Sequence, residues 1–200
     1  TIRRALEGWA VALALGIVCG VIIGSIFVIF IGSEPVVEFA RSIPPVMAFP
    51  LFLVAFNYEE SAYIWSIVFG CFPIMILAVS RGVSGISTEK LELLTVYRVR
   101  ALVRWFTMSM EILPSVFLGA RLTLTLALVI AVVTEMVFSP RSGWALGALA
   151  RDSEIDFDTP TFYACVLIIG AFGFIANVAL RKVEQRLDVQ TVVRGNISGQ

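Results

Sequence analysis

At 200 residues, 58% of them apolar and only 15% charged, the chain lacks the polar surface of an ordinary soluble domain. Its formal net charge is zero and it has no basic tail, so it offers nothing to a nucleic-acid partner. Histidine is absent, which weakens any ordinary acid–base or metal-site reading. The mean hydropathy of +0.92 and the clustering of charge into a few loops point to an all-α protein of the membrane.

The first residue is Thr1, with no charged n-region, apolar h-region and cleavage site behind it, so the chain is expected to begin partway into a longer protein. The run from Gly8 to Gly32 carries no charge and is long enough for a span of roughly 20 residues. Gly8, Ala12, Gly16, Gly20 and Gly24 recur every fourth residue, placing small side chains on one helix face where another backbone can approach. The segment 33–45, SEPVVEFARSIPP, predicts a short amphipathic piece and then a break. Neither Pro44 nor Pro45 can donate an amide hydrogen bond, and each clashes with the preceding turn.

A helix is expected from Pro45, and Val46 to Phe56 makes only half a span, kinked at Pro50. Residues 57–61 read as a polar turn, and Ala62 to Val79 as the next span, with a kink at Pro73. After a charged stretch from Gly82 to Pro114, another span covers Ser115 to Phe138 and includes Arg121 and Glu135. Residues 139–160 are polar and contain Gly143 to Gly147 and the acids Asp152, Glu154, Asp156 and Asp158, a solvated face. Thr161 to Leu180 is the last span, and a single membrane domain over 1–187 is followed by a polar tail, 188–200.

If the stretch 82–114 faces the cytoplasm, so do Arg41, Arg81, Lys90, Arg98, Arg100, Arg104, Arg121, Arg181, Lys182, Arg186 and Arg194, leaving only Arg3, Arg4, Arg141 and Arg151 outside. The positive-inside bias selects that orientation. It gives five visible spans, the first residue outside, and one further span upstream if the N-terminus is cytoplasmic.

Individual residues are sparse in chemistry. Cys19, Cys71 and Cys165 lie far apart in apolar runs and behave as small hydrophobes. Gly82-Val83-Ser84-Gly85 matches the G-x-S-G of intramembrane serine proteases, but no histidine base exists to activate the serine. Phe52, Phe56, Phe69, Phe72 and Trp65 read as lipid or helix contacts. Glu135 stands out, because an acid in a span faces a cavity or a partner unless it sits at headgroup level.

Taken together, the Gly8–Gly24 repeat, Glu34-Pro35, Arg41-Ser42-Ile43-Pro44-Pro45 and Phe49-Pro50-Leu51 resemble the membrane subunit of binding-protein-dependent ABC importers. The similar branch is the one carrying nitrate, sulfonate, taurine and bicarbonate. Gly82, Glu92, Pro114, Gly119 with Arg121, Glu135-Met136, Gly143 to Gly147 and Phe157-Asp158 then follow in family order, so the resemblance runs from about Ile2 to Leu187. It implies a type I importer permease fold of about six spans, multi-pass in the bacterial inner membrane.

The resemblance also implies partners: ATP-binding subunits, a second permease subunit, identical or divergent, and an extracytoplasmic solute-binding protein. ATP and Mg would sit on the ATPase, with no cofactor, catalytic residue or metal in this chain. Residues 82–114 correspond to the family's EAA loop, with a coupling helix over Thr88 to Tyr97. Its ATPase contact comprises Thr88, Glu89, Leu91, Glu92, Leu93, Leu94, Arg98 and Arg100. The two alanines and the glycine of the family motif are replaced here by Leu93, Leu94 and Arg98, which puts a symmetric homodimer in doubt.

For the solute path the expected residues are Pro44, Pro45, Met47, Pro50, Glu135, Gly143 and Gly147, and for helix packing Gly16, Gly20 and Gly24. Glu135 would repel an anionic solute unless paired, with Arg121 or a cation as its counter-charge. An ion-gradient transporter or channel subunit is the alternative, though only Glu135 could relay protons and no inverted repeat is visible. A scaffold subunit without a pathway is the third.

Overall fold

A computed structural model describes residues 1–57, 60–87, 96–97, 101–139 and 145–197, without side chains at 27, 101–106 and 187–197. The described residues form seven helices: α1 (Ile2–Ser25), α2 (Phe27–Ser42), α3 (Pro45–Ala55), α4 (Glu60–Ser84), α5 (Ala101–Phe138), α6 (Leu146–Ile155) and α7 (Thr159–Ile197). α1, α4, α5 and α7 are each long and apolar enough to cross a bilayer. α2 and α3 are bent by 88° about a short break and together supply a fifth crossing.

The expected first span differs at its end. α1 stops at Ser25, where Ile26 turns extended at φ −121° and ψ 104°, so Gly32 belongs to α2. The Ser25 hydroxyl donates to the carbonyl of Val21 at 2.6 Å, a back-bond that competes with the helix ladder. The second break falls at the tandem prolines, with Ile43 and Pro44 extended and Pro45 at the first position of α3. Pro73 and Pro114 lie inside helices that continue past them, and α7 runs to Ile197 through the expected tail.

α1 packs on α4 more extensively than any other pair of elements does. A side chain at Gly16 would put its Cβ 2.5 Å from Cβ of Met75, one at Gly20 2.6 Å from Cβ of Val79, and one at Gly24 2.7 Å from Cβ of Val83. Each partner lies the same number of residues further along, so the two helices run parallel. α5 is antiparallel to both: Gly82 meets Ser115 near one end and Arg4 meets Glu135 at the other. Ala5, Ala12, Ile67, Cys71, Ala127 and Ile130 form the core where these three helices join.

α3 lies against α4 and α5 through Phe49, which stands 4.8 Å, ring centre to ring centre, from both Tyr63 and Phe138. Phe52 packs on Phe69 and Phe56 stacks on Trp65, so these aromatics join helices. α7 packs chiefly against α5 and α6, and 6% of its most apolar stretch is buried. Cys71 and Cys165 are buried and Cys19 half-buried, all as free thiols.

The α1–α4 contact yields a prediction. Gly16→Leu forces a large side chain against Met75 and is expected to cost about 1–3 kcal/mol of stability. Gly32→Leu, which meets nothing within 4 Å, is expected to be neutral. Thermal unfolding of both variants in detergent checks this.

Candidate functional site at the outer end of the bundle

Four elements converge where α1, α4 and α6 begin and α5 ends. Glu135, in the last turn of α5, is fully buried. Its carboxylate accepts from Arg4 Nη1 at 2.7 Å, from the Thr1 hydroxyl and from the backbone amide of Gly147 at 3.3 Å. Gly147 lies in the first turn of α6, so the carboxylate sits at a helix N-terminus, where free amides and the dipole favour negative charge. The Thr1 hydroxyl accepts in turn from the amide of Leu146 at 2.8 Å.

Arg4 has further partners on α4. Its Nε donates to Glu60 at 2.6 Å, and its guanidinium lies 4.3 Å from the centre of the Tyr63 ring. Arg3 also reaches Glu60, at 3.1 Å, but from an exposed position. Tyr63 and Ser139 share a hydrogen bond of 3.3 Å. Arg151, on α6, donates to the carbonyls of Met136 and Ser139 at 3.2 and 2.6 Å, placing a cation at the C-terminus of α5. It also pairs with Asp152 at 2.8 Å.

These contacts join α1, α4, α5 and α6 through one buried ion pair. The arrangement holds the start of α6 close against α5, where a Cβ at Gly147 would overlap Glu135 Cβ at 2.8 Å. No group of three metal-binding side chains occurs among the described residues. Chemically the site fixes geometry and neutralises charge.

Of the expected path residues, Pro44 is exposed just before α3, Met47 and Pro50 are exposed on it, and Pro45 is half-buried. Pro45 instead faces the bundle, and a Cβ at Gly70 would lie 2.6 Å from its Cγ. Glu135 and Gly147 lie together at the outer end, apart from that face, and Gly143 falls outside the described residues. Arg121 does not neutralise Glu135. It sits near the middle of α5, about 20 Å along the helix from Glu135, and pairs with Glu184 of α7 at 3.3 Å.

Of the acidic run, Asp158 caps α7 through the amide of Thr161 at 3.4 Å. Thr88, Glu89, Leu91, Glu92, Leu93, Leu94, Arg98 and Arg100 lie outside the described residues; Val96 and Tyr97 are exposed. Sequence reasoning missed Arg4, Glu60, Tyr63 and Arg151 as a unit. The available signal was the sidedness, since Arg3, Arg4 and Arg151 were already assigned to the outer face with Glu135.

The fold and its charge distribution thus define a multi-pass helical membrane component, with Arg81 in the last turn of α4, at the end opposite Arg4. Residues 12–189 match the binding-protein-dependent transport system inner membrane component family, and the chain belongs to it. A protein of Brucella melitensis named as an ABC transporter permease is 27% identical over 94% of this chain and 75% of its own length. One from Methanocaldococcus jannaschii, named likewise, is 28% identical over 93% of this chain and 69% of its own. A Bacillus subtilis permease named for aliphatic sulfonate transport is 25% identical over 94% of this chain and 67% of its own. More distant matches carry names for taurine, nitrate and bicarbonate transport.

The ion pair makes a graded prediction. Arg4→Ala strands the buried Glu135 carboxylate and is expected to cost about 3–5 kcal/mol. Arg3→Ala removes an exposed contact and is expected to cost under about 1 kcal/mol. Thermal or denaturant unfolding in micelles measures both.

Proposed function

We propose that the chain is the permease subunit of an ATP-driven importer and forms, with a second permease subunit, the path for a small anionic solute of the sulfonate, taurine, nitrate or bicarbonate type. The observation that carries this reading is the family match over residues 12–189, joined by relatives named for those four solutes. An extracytoplasmic binding protein delivers the solute to the outer face. ATP and Mg are held by partner ATPases, and this chain carries out no chemistry.

The physical arrangement supports an anion. The carboxylate of Glu135 is matched by Arg4 and by helix amides, so it presents no free negative charge at the outer mouth. Pro44 and the exposed face of α3, with Met47 and Pro50, are available to line the path beside the bend. An ATPase docks from the cytoplasm on the stretch between the end of α4 at Ser84 and the start of α5 at Ala101. The segment assigned to coupling, Thr88–Tyr97, falls there, 88–95 lying outside the described residues, whereas 101–114 belong to α5 rather than to a loop.

Two measurements test the proposal. With its neighbours co-expressed, the chain is expected to bring down an ATPase in detergent, and Glu92→Ala with Leu93→Ala and Leu94→Ala is expected to release it while membrane insertion is unchanged. Uptake of labelled sulfonate, taurine, nitrate or bicarbonate is expected to fall in parallel. Transport by the chain alone, driven by an ion gradient, would show a secondary transporter instead.

A further inference from the structure

A groove of about 450 Å³ runs between α5 and α7, away from the ionic site. Leu128, Val129 and Val133 form one wall and Ile169, Gly170 and Phe174 the other. Its inner end is polar: Asn177 donates to the Thr125 hydroxyl at 3.2 Å and to the carbonyl of Gly173 at 3.1 Å. One helical turn further inward on each helix come Arg121 and Arg181, beside Lys182. Arg181 and Lys182 are exposed. Arg121 spends Nη1 on Glu184, the acid of this end of α7, but its Nε is buried with no hydrogen-bond partner among the described residues.

Depth and size select the occupant. At 1.5 Å per residue from the start of α7, Ile169 lies about 15 Å and Asn177 about 27 Å across a hydrocarbon core of about 30 Å. Counted along α5 from Phe138, Thr125 lies about 20 Å in, so the groove crosses the middle of the bilayer into the inner leaflet, and its polar end points toward that leaflet's headgroups. A helix about 10 Å in diameter laid along those 12 Å or so would fill roughly twice the cavity. An extended acyl chain fits.

We propose that this groove is a binding site for an anionic phospholipid of the inner leaflet. Its acyl chain lies along Gly170 and Gly173, and its phosphate is met by the exposed Arg181 and Lys182. Basic pockets between membrane helices on the cytoplasmic side recognise such headgroups by charge. The site rests on the membrane-spanning fold alone and is independent of the solute and the ATPase.

The test uses the full chain in phosphatidylcholine vesicles doped with either phosphatidylglycerol or further phosphatidylcholine carrying a photoreactive diazirine at the acyl terminus. After irradiation, peptide mass spectrometry is expected to find label at 128–133 and 169–174 with phosphatidylglycerol and little with phosphatidylcholine. Arg181→Gln and Lys182→Gln, both at the surface, are expected to reduce labelling about fivefold for each charge removed. Gly170→Leu fills open space, since nothing lies within 4 Å of a Cβ there, and is expected to abolish labelling with unchanged thermal stability. Equal labelling by both lipids, or no effect of the charge variants, overturns the proposal. So does absent label together with disulfide-linked dimers of a Gly170→Cys variant, which would make the groove an interface between copies.

Discussion

Two adjacent helices that run in the same direction oblige the chain between them to recross the bilayer. α1 and α4 impose that constraint here, and the small face of α1 makes it possible. Gly16, Gly20 and Gly24 let the helices approach until the α4 side chains touch the α1 backbone, giving contact enough to hold two dipoles side by side with like ends together. The return journey falls to α2 and α3, and α5 then fills the remaining side of the pair in the opposite sense. The antiparallel α5 also offsets the parallel dipoles of its neighbours.

The same constraint explains where the charges gather. Because α1 and α4 begin at one end, Arg4 and Glu60 arrive there together, and because α5 finishes at that end it delivers Glu135 to them. A carboxylate buried in this way is stable only if both of its oxygens find donors. Arg4, Thr1 and Gly147 provide those donors, and the last of them draws α6 onto the bundle. The outer helix is thereby tied to the ion pair and to Arg151, which binds the carbonyl end of α5.

Much of the architecture could be read from local chemistry. The break before Pro45 follows from two residues without amide hydrogens, and the number of crossings from apolar run lengths. The end of α1 at Ser25 could not, because the apolar run continues past it, and the Ser25 back-bond to Val21 is of a kind that Thr123 and Thr134 make within an unbroken α5. Nor could the partner of Glu135. Arg121 lies on the same helix and Arg4 far away in sequence; only the parallel course of α1 and α4 brings the distant one close. The residues assigned to ATPase contact lie outside the described residues, so their placement rests on the family resemblance.

The elbow between α2 and α3 has a consequence for water. With proline at 45, the carbonyl of Arg41 has no amide four residues on to receive a hydrogen bond, and the extended Ile43 and Pro44 cannot repair the ladder. The elbow also lies beside Gly70 and Ile130, well inside the crossings of α4 and α5. Irregular backbone at such depth is tolerated only where protein covers it or an aqueous cavity reaches it. The exposed side of the elbow is therefore a place from which hydrocarbon is excluded: it is wetted, or another chain stands against it.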